Sequence, residues 1–189
     1  MQLQYNSPVI LTFFLLSLGA LFLGQWTGGW TTKHLFCVYR GSLKDPLFYI
    51  RLFGHVLGHA SWDHFFGNIM MLLVVGPLLE EKYGSANILF VILATALVTG
   101  VINFIFFPHV QLLGASGVVF AFILLASLTS IEEEKIPLTF ILVALIYIGQ
   151  QVYDGIFIRD NVSNLTHILG GIVGSGLGYV MNKNKMNRY

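Results

Sequence analysis

Charge is what this chain has least of. Lys and Arg number ten and Asp and Glu nine in 189 residues, so 10% of the chain is charged, against about 25% in ordinary soluble domains. The net charge of +1 gives no basic footprint for nucleic acid, and no nucleic-acid partner is expected. There is a single cysteine, Cys37, so no internal disulfide can form. The H-E-x-x-H pattern of zinc peptidases is absent and the apolar stretches carry no acid to complete a ligand set, so no metal is expected. What remains is apolar: 56% hydrophobic residues, sixteen of them Phe, and a mean hydropathy of +0.76. That composition reads as an integral membrane protein.

A hydrocarbon core about 30 Å thick needs roughly 17–25 apolar residues per helix. Six stretches meet or approach this, at about 8–24, 64–79, 87–107, 114–130, 136–153 and 164–181. The first lacks a basic leader and an A-x-A cleavage site, so it reads as a retained helix and not as a signal peptide. Charged or polar segments punctuate the rest: "EEKYGS" at 80–85, Pro108 to Gln111, "IEEEKIP" at 131–137 and "YDGIFIRDN" at 153–161. Glu80 and Glu81, like Glu132 to Glu134, read most simply as solvated caps. The expected fold is an all-α bundle of six transmembrane helices forming one domain over residues 1–189. The connection at 25–63 stands apart. It mixes Trp26, Trp30, Tyr39 and Tyr49 with Arg40, Lys44 and Arg51, a composition suited to the membrane interface. It is expected to lie half-sunk among headgroups with some helix of its own. The basic residues divide five against five between the two faces, so the positive-inside rule is silent on orientation.

With six spans, the second, fourth and sixth run in one direction and start at one membrane face. The polar residues that need explaining fall at those starts: His64 and Asn68, Ser116, and His167. Polar side chains inside a bilayer face the bundle interior or a watery cavity, so residues at one depth can share a site. Ser116 lies within Gly114-Ala115-Ser116-Gly117. Small residues there serve close helix packing in any case. As a nucleophile, Ser116 would need a base, and His167 is the candidate. Its own N–H, in the first turn of a helix, could donate to a developing oxyanion. Gly170, Gly174 and Gly178 follow His167 on one helix face, a seam able to press on Gly117 and Ala121 and so deliver His167 to Ser116. His64 and Asn68, four residues apart on one face, are suitable oxyanion donors. Ser61 and Asp63 read as the start of their helix, with His59 just before it. No carboxylate is placed to orient His167, which favours a dyad over a triad.

These residues resemble the rhomboid intramembrane serine proteases. The markers are Arg51 with His55, then His59, His64 and Asn68, then Glu80 with Gly84 and Ser85, then Gly114-x-Ser116-Gly117, then His167 with Gly170 and Gly171. The resemblance implies Ser116 as nucleophile and His167 as general base. It implies an oxyanion hole of His64, Asn68 and the Ser116 N–H. Phe120 takes the place of a tyrosine that often stacks on the catalytic histidine, and Ile50 that of a tryptophan before the loop arginine. The resemblance further implies transmembrane protein substrates, no cofactor, a first loop embedded in the membrane, and a substrate gate at the fifth helix. It also implies a bacterial-type plasma membrane location with both termini cytoplasmic.

Overall fold

The computed structural model describes residues 5–128 and, beyond them, 138–139, 141–143, 145–146, 149, 168–174, 176–177 and 180. Among the described residues the continuous α-helices run in the order α1 Pro8–Trp26, α2 Trp30–Leu35, α3 Pro46–Gly54, α4 Trp62–Tyr83, α5 Ser85–Phe106 and α6 Ser116–Ser127. A short 3-10 turn, His55–Leu57, follows α3. Among the described residues, extended backbone pairs only at a single bridge between Val38 and Leu112. Residues 141–143 and 168–174 are also helical.

Among the described residues, three helices, α1, α4 and α5, are long and apolar enough to cross a membrane. Their surfaces invert the soluble pattern. Ser17, Thr95, Thr99 and Asn103 are buried, while Leu15, Phe22, Met70, Val74, Leu78, Phe90 and Leu97 face outward. Apolar residues thus serve both the core and the surface, as expected where the solvent is hydrocarbon. The core joins Ile10 and Phe13 of α1, Phe65, Ile69 and Leu72 of α4, Ile88 and Val91 of α5, and Val118 and Phe122 of α6. The close approach of α1 to α4 depends on Gly76, where a Cβ would come within 2.7 Å of the Ile10 side chain.

Helices α1, α4, α5 and α6 match the first four expected stretches with shifted ends, and most of the fifth and sixth stretches, at 136–153 and 164–181, lies outside the described residues. The second runs through both glutamates to Tyr83 and carries Pro77 inside it. A proline is tolerated in a membrane helix because neighbours re-satisfy the freed backbone group. Reading Glu80 as a solvated cap is wrong. Glu80 is 4% exposed and accepts from the backbone N–H groups of Val9 and Ile10, at 3.0 Å each, and from the Ser85 hydroxyl at 2.7 Å. Ser7 supplies no side-chain cap to α1, so a carboxylate from a distant helix satisfies those first-turn donors and sits favourably at the positive end of the dipole. Glu132 to Glu134 lie outside the described residues.

The connection from α1 to α4 contains α2 and α3, held by a buried arginine. Arg51 is 1% exposed. Its Nη2 donates to Asp45 Oδ2 at 2.8 Å, and its guanidinium lies 4.6 Å from the Tyr39 ring centroid. Asp45 also caps α3 by accepting from the Leu47 N–H at 3.0 Å. The hydrogen bond from Arg51 holds the Asp45 carboxyl below its usual range. Ile50, in contrast, points outward.

Candidate active site

The site is assembled from the N-terminal ends of α4 and α6. Ser61 starts α4, its hydroxyl accepting from the His64 N–H at 3.2 Å, and Asp63 occupies the first turn, both as the sequence indicates. The Asn68 amide donates to the His64 carbonyl at 3.0 Å, which ties the two side-chain positions to one face. His59 precedes the helix and is 2% exposed. Its Nδ1–H donates to the Leu57 carbonyl at 3.1 Å, and its ring meets that of His64 edge-on with centroids 5.2 Å apart.

The segment entering α6 is fixed on both sides. Val38 and Leu112 exchange backbone hydrogen bonds of 2.9 Å, and the Gly114 N–H donates to the His55 carbonyl at 2.9 Å. Gly114 adopts φ +123°, and a Cβ there would lie 2.7 Å from His64 Nε2 and 3.8 Å from Asn68 Nδ2. Only glycine fits, on grounds of both backbone and space. The chain thereby brings the backbone two residues before Ser116 against the two expected oxyanion donors. Ser116 opens α6 and is half-buried; Ala115, ahead of it, provides no side-chain cap.

A further helical stretch closes on α6. Gly170 rests on Gly117, where a Cβ would come 2.8 Å from the Gly117 carbonyl oxygen, and Gly174 rests on Ala121. Gly171 faces Leu124, whose Cδ1 would be 2.9 Å from an added Cβ. This is the pairing of small residues that the seam suggests. His167 lies outside the described residues. Phe120 is half-buried on α6.

Two buried histidines adjoin these elements. His55 is 1% exposed, with Nε2 3.2 Å from Thr99 Oγ1. Burial pulls its pKa down to about 4. Burial, with the neighbouring His64 ring second, does the same to His59. Both are therefore neutral near pH 7. Sequence reading places no role on the His55–Thr99 contact, because the two residues are 44 apart and share no periodicity. Among the described residues, no three of His, Cys, Asp or Glu converge as metal ligands.

Helices that bury their polar groups, and that gather His64, Asn68 and the start of α6 at one end, define a membrane protein with a polar site sunk in its bundle. The chain belongs to the Rhomboid family: the Rhomboid domain matches residues 47–184, and members of that family are multi-pass membrane proteins. It is similar to Rhomboid-related protein 2 of Mus musculus, 30% identical over 195 residues, covering 92% of this chain and 65% of that protein. It is similar also to Rhomboid protease GlpG of Haemophilus influenzae, 26% identical over 141 residues and 72% of each chain. Rhomboid protease GluP of Bacillus subtilis is 26% identical over 180 residues, 89% of this chain and 34% of that protein. The chain thus spans less than two thirds of the mouse relative and about a third of GluP.

Proposed function

We propose that this chain is an intramembrane serine endopeptidase that cleaves transmembrane segments of other membrane proteins. The observation that carries the reading is the seating of Gly114 against His64 and Asn68, at the start of the helix that Ser116 opens. In this reading Ser116 is the nucleophile and His167 the general base. The contact of Gly170 with Gly117 supports the pairing, since Gly170 follows His167 by three residues and Gly117 follows Ser116 by one. Gly117, Gly170 and Gly171 serve the close approach of the two helices, and Phe120 stacks on the base.

A substrate helix unwinds near the membrane surface and presents a peptide carbonyl. His167 takes the Ser116 proton as the oxygen attacks. His64, Asn68 and the Ser116 N–H stabilise the oxyanion. The imidazolium returns its proton to the leaving amine, and water then releases the acyl group from Ser116. No cofactor or metal takes part. The fold in this reading is one domain of six transmembrane helices, with the 25–63 connection embedded at the headgroup level. It sits in a bacterial-type plasma membrane with both termini cytoplasmic.

The test is cleavage of a generic transmembrane substrate in detergent by wild type beside Ser116→Ala. Loss of cleavage in the variant is expected, as is fluorophosphonate labelling of wild type that vanishes in His167→Ala. Equal cleavage by Ser116→Ala overturns the assignment. A folded wild type that neither cleaves nor labels assigns the site to binding without catalysis.

A further inference from the structure

Asn103 lies in the last turn of α5, in an apolar stretch where a polar side chain is costly, and it is fully buried. Its amide nitrogen carries two hydrogens and meets two carbonyl oxygens, that of Val38 at 3.3 Å and that of Val110 at 3.2 Å. Its Oδ1 is buried with no partner among the described residues. The acceptors therefore set the orientation, since the flipped amide would point its oxygen at two oxygens. A leucine of similar shape would be free of that unpaired oxygen, whose burial costs stability. What the amide offers in return is the pair of bonds. Its two acceptors lie on separate segments. Val38 belongs to the connection between α2 and α3, and Val110 to the segment that enters α6. Val38 also exchanges backbone hydrogen bonds with Leu112, so Asn103 braces the bridge beside that pair. Val38 and Leu112 pack with Phe48 and Leu52 of α3 and with Val101 and Phe104 of α5. Apolar contact is non-directional and leaves one segment able to slide along the other. Two donors aimed at two carbonyls fix the register. Leu112 is two residues before Gly114, which is seated against His64, and four before Ser116.

We propose that Asn103 is a positioning residue: from α5 it clamps the Val38–Leu112 bridge and so sets the place at which α6, with Ser116, begins. The consequence for catalysis rests on the reading of Ser116 as nucleophile; the clamp itself does not. The Gly114 N–H holds the same segment to the His55 carbonyl, but that bond runs from backbone to backbone outside α5. Asn103 is the side chain that ties the bridge to a membrane-spanning helix. Without it, Val38 and Leu112 keep their mutual bonds, but the pair can shift on α5 and Gly114 shifts with it. Oxyanion donors act only at hydrogen-bond distance from the developing charge. A shift of Gly114 against His64 is therefore read in turnover and not in substrate affinity.

The test uses the full chain in detergent and the variant Asn103→Leu, which keeps the shape and removes both donors. Residue-resolved amide hydrogen exchange is expected to quicken about tenfold at Val38, Leu112 and Gly114, the scale of two modest hydrogen bonds. It is expected to stay unchanged at Val91 and Ala96, on the buried face of α5. Cleavage of a transmembrane substrate is expected to lose about tenfold or more in kcat with KM unchanged, and fluorophosphonate labelling to slow in parallel. Should Asn103→Leu not fold, Asn103→Ser reads the same comparison, because its hydroxyl bonds the carbonyl one turn back and cannot reach both acceptors. Unchanged exchange at the bridge overturns the inference. So does quickening shared equally by Val91 and Ala96, which marks a loss of stability only. A quickened bridge with unchanged kcat and labelling overturns it as well. Bridge exchange as expected, in a protein whose wild type neither cleaves nor labels, supports the clamp and overturns the proteolytic reading alone.

Discussion

Gly114→Ala isolates the packing of the α6 entrance on the oxyanion donors. Two costs arise. Alanine at φ +123° carries backbone strain of about 1–3 kcal/mol. The new Cβ also lies 2.7 Å from His64 Nε2 and 2.8 Å from its Cε1. An unstrained contact needs about 3.5 Å, so ring and backbone must part by about 0.8 Å. That displacement exceeds the tolerance of a hydrogen bond near 2.9 Å. If His64 donates to the oxyanion, the variant loses that donor, worth roughly 10²–10³ in turnover. The control is Gly117→Ala, three residues on. There the Cβ meets Thr99 and Thr95 methyls at 3.6 and 3.7 Å, ordinary contact distances. Initial rates on a transmembrane substrate in detergent, over a range of mole fraction, separate kcat from KM. Gly114→Ala is expected to lose about 10²-fold or more in kcat, with KM little changed and the protein folded by circular dichroism. Gly117→Ala is expected to stay within several-fold of wild type. A Gly114→Ala rate near wild type, or the reverse ranking of the two variants, refutes the reasoning.

Glu80→Gln removes the charge from three accepted hydrogen bonds and is expected to cost about 1.5–3 kcal/mol, read as a lower Tm in detergent; Ser85→Ala should cost less. Gly174→Val forces the 168–174 stretch off Ala121 and is expected to destabilise by about 1–3 kcal/mol, while Gly176→Ala, with nothing within 4 Å, should leave Tm unchanged. Stability is expected to fall on acidification from about pH 6.5 to about pH 4, because His55 and His59 are held neutral with pKa values near 4. The unfolded chain binds protons over that window and the folded chain does not, so protonation favours unfolding, by up to about 3 kcal/mol per histidine; a Tm flat across that range contradicts their burial.

Much of the architecture follows from composition. Apolar runs of bilayer length predict α1, α4 and α5 to within about two or three residues at most ends. Ser61 and Asp63 mark the start of α4, and the four-residue spacing puts His64 over Asn68, because local rules govern both. The glycine seam anticipates the contacts of Gly170 and Gly174, since small residues at a period of four have one obvious use in a membrane. What escapes is long-range. Glu80 serves a helix seventy residues away, and nothing local distinguishes a carboxylate that caps a distant helix from one in water. The end of α4 is missed for the same reason: charge in the sequence reads as a boundary, whereas Glu80 is hydrogen-bonded by distant donors and the helix continues to Tyr83. That the buried His59 Nε2 finds no hydrogen-bond partner among the described residues is invisible too, because satisfaction is a property of the packed chain.

Ser116 owes its setting to glycines that face three ways. Gly114, before it, fits against α4 through His64; Gly117, after it, faces Thr95 and Thr99 of α5; and the surface of Gly117 also receives Gly170. The contacts of Gly114 with His64 and of Gly170 with Gly117 leave no room for an added methyl group, while the Thr95 and Thr99 methyls lie at ordinary contact distance from Gly117, and interiors packed to this density do not deform continuously. The start of α6 therefore cannot slide toward one neighbour without colliding with another. The backbone that carries the Ser116 hydroxyl is thus hemmed in by His64 of α4, by the threonine methyls of α5 and by Gly170. Such a device suits a membrane interior, where apolar burial between helices offers little driving force and close backbone packing supplies the rigidity.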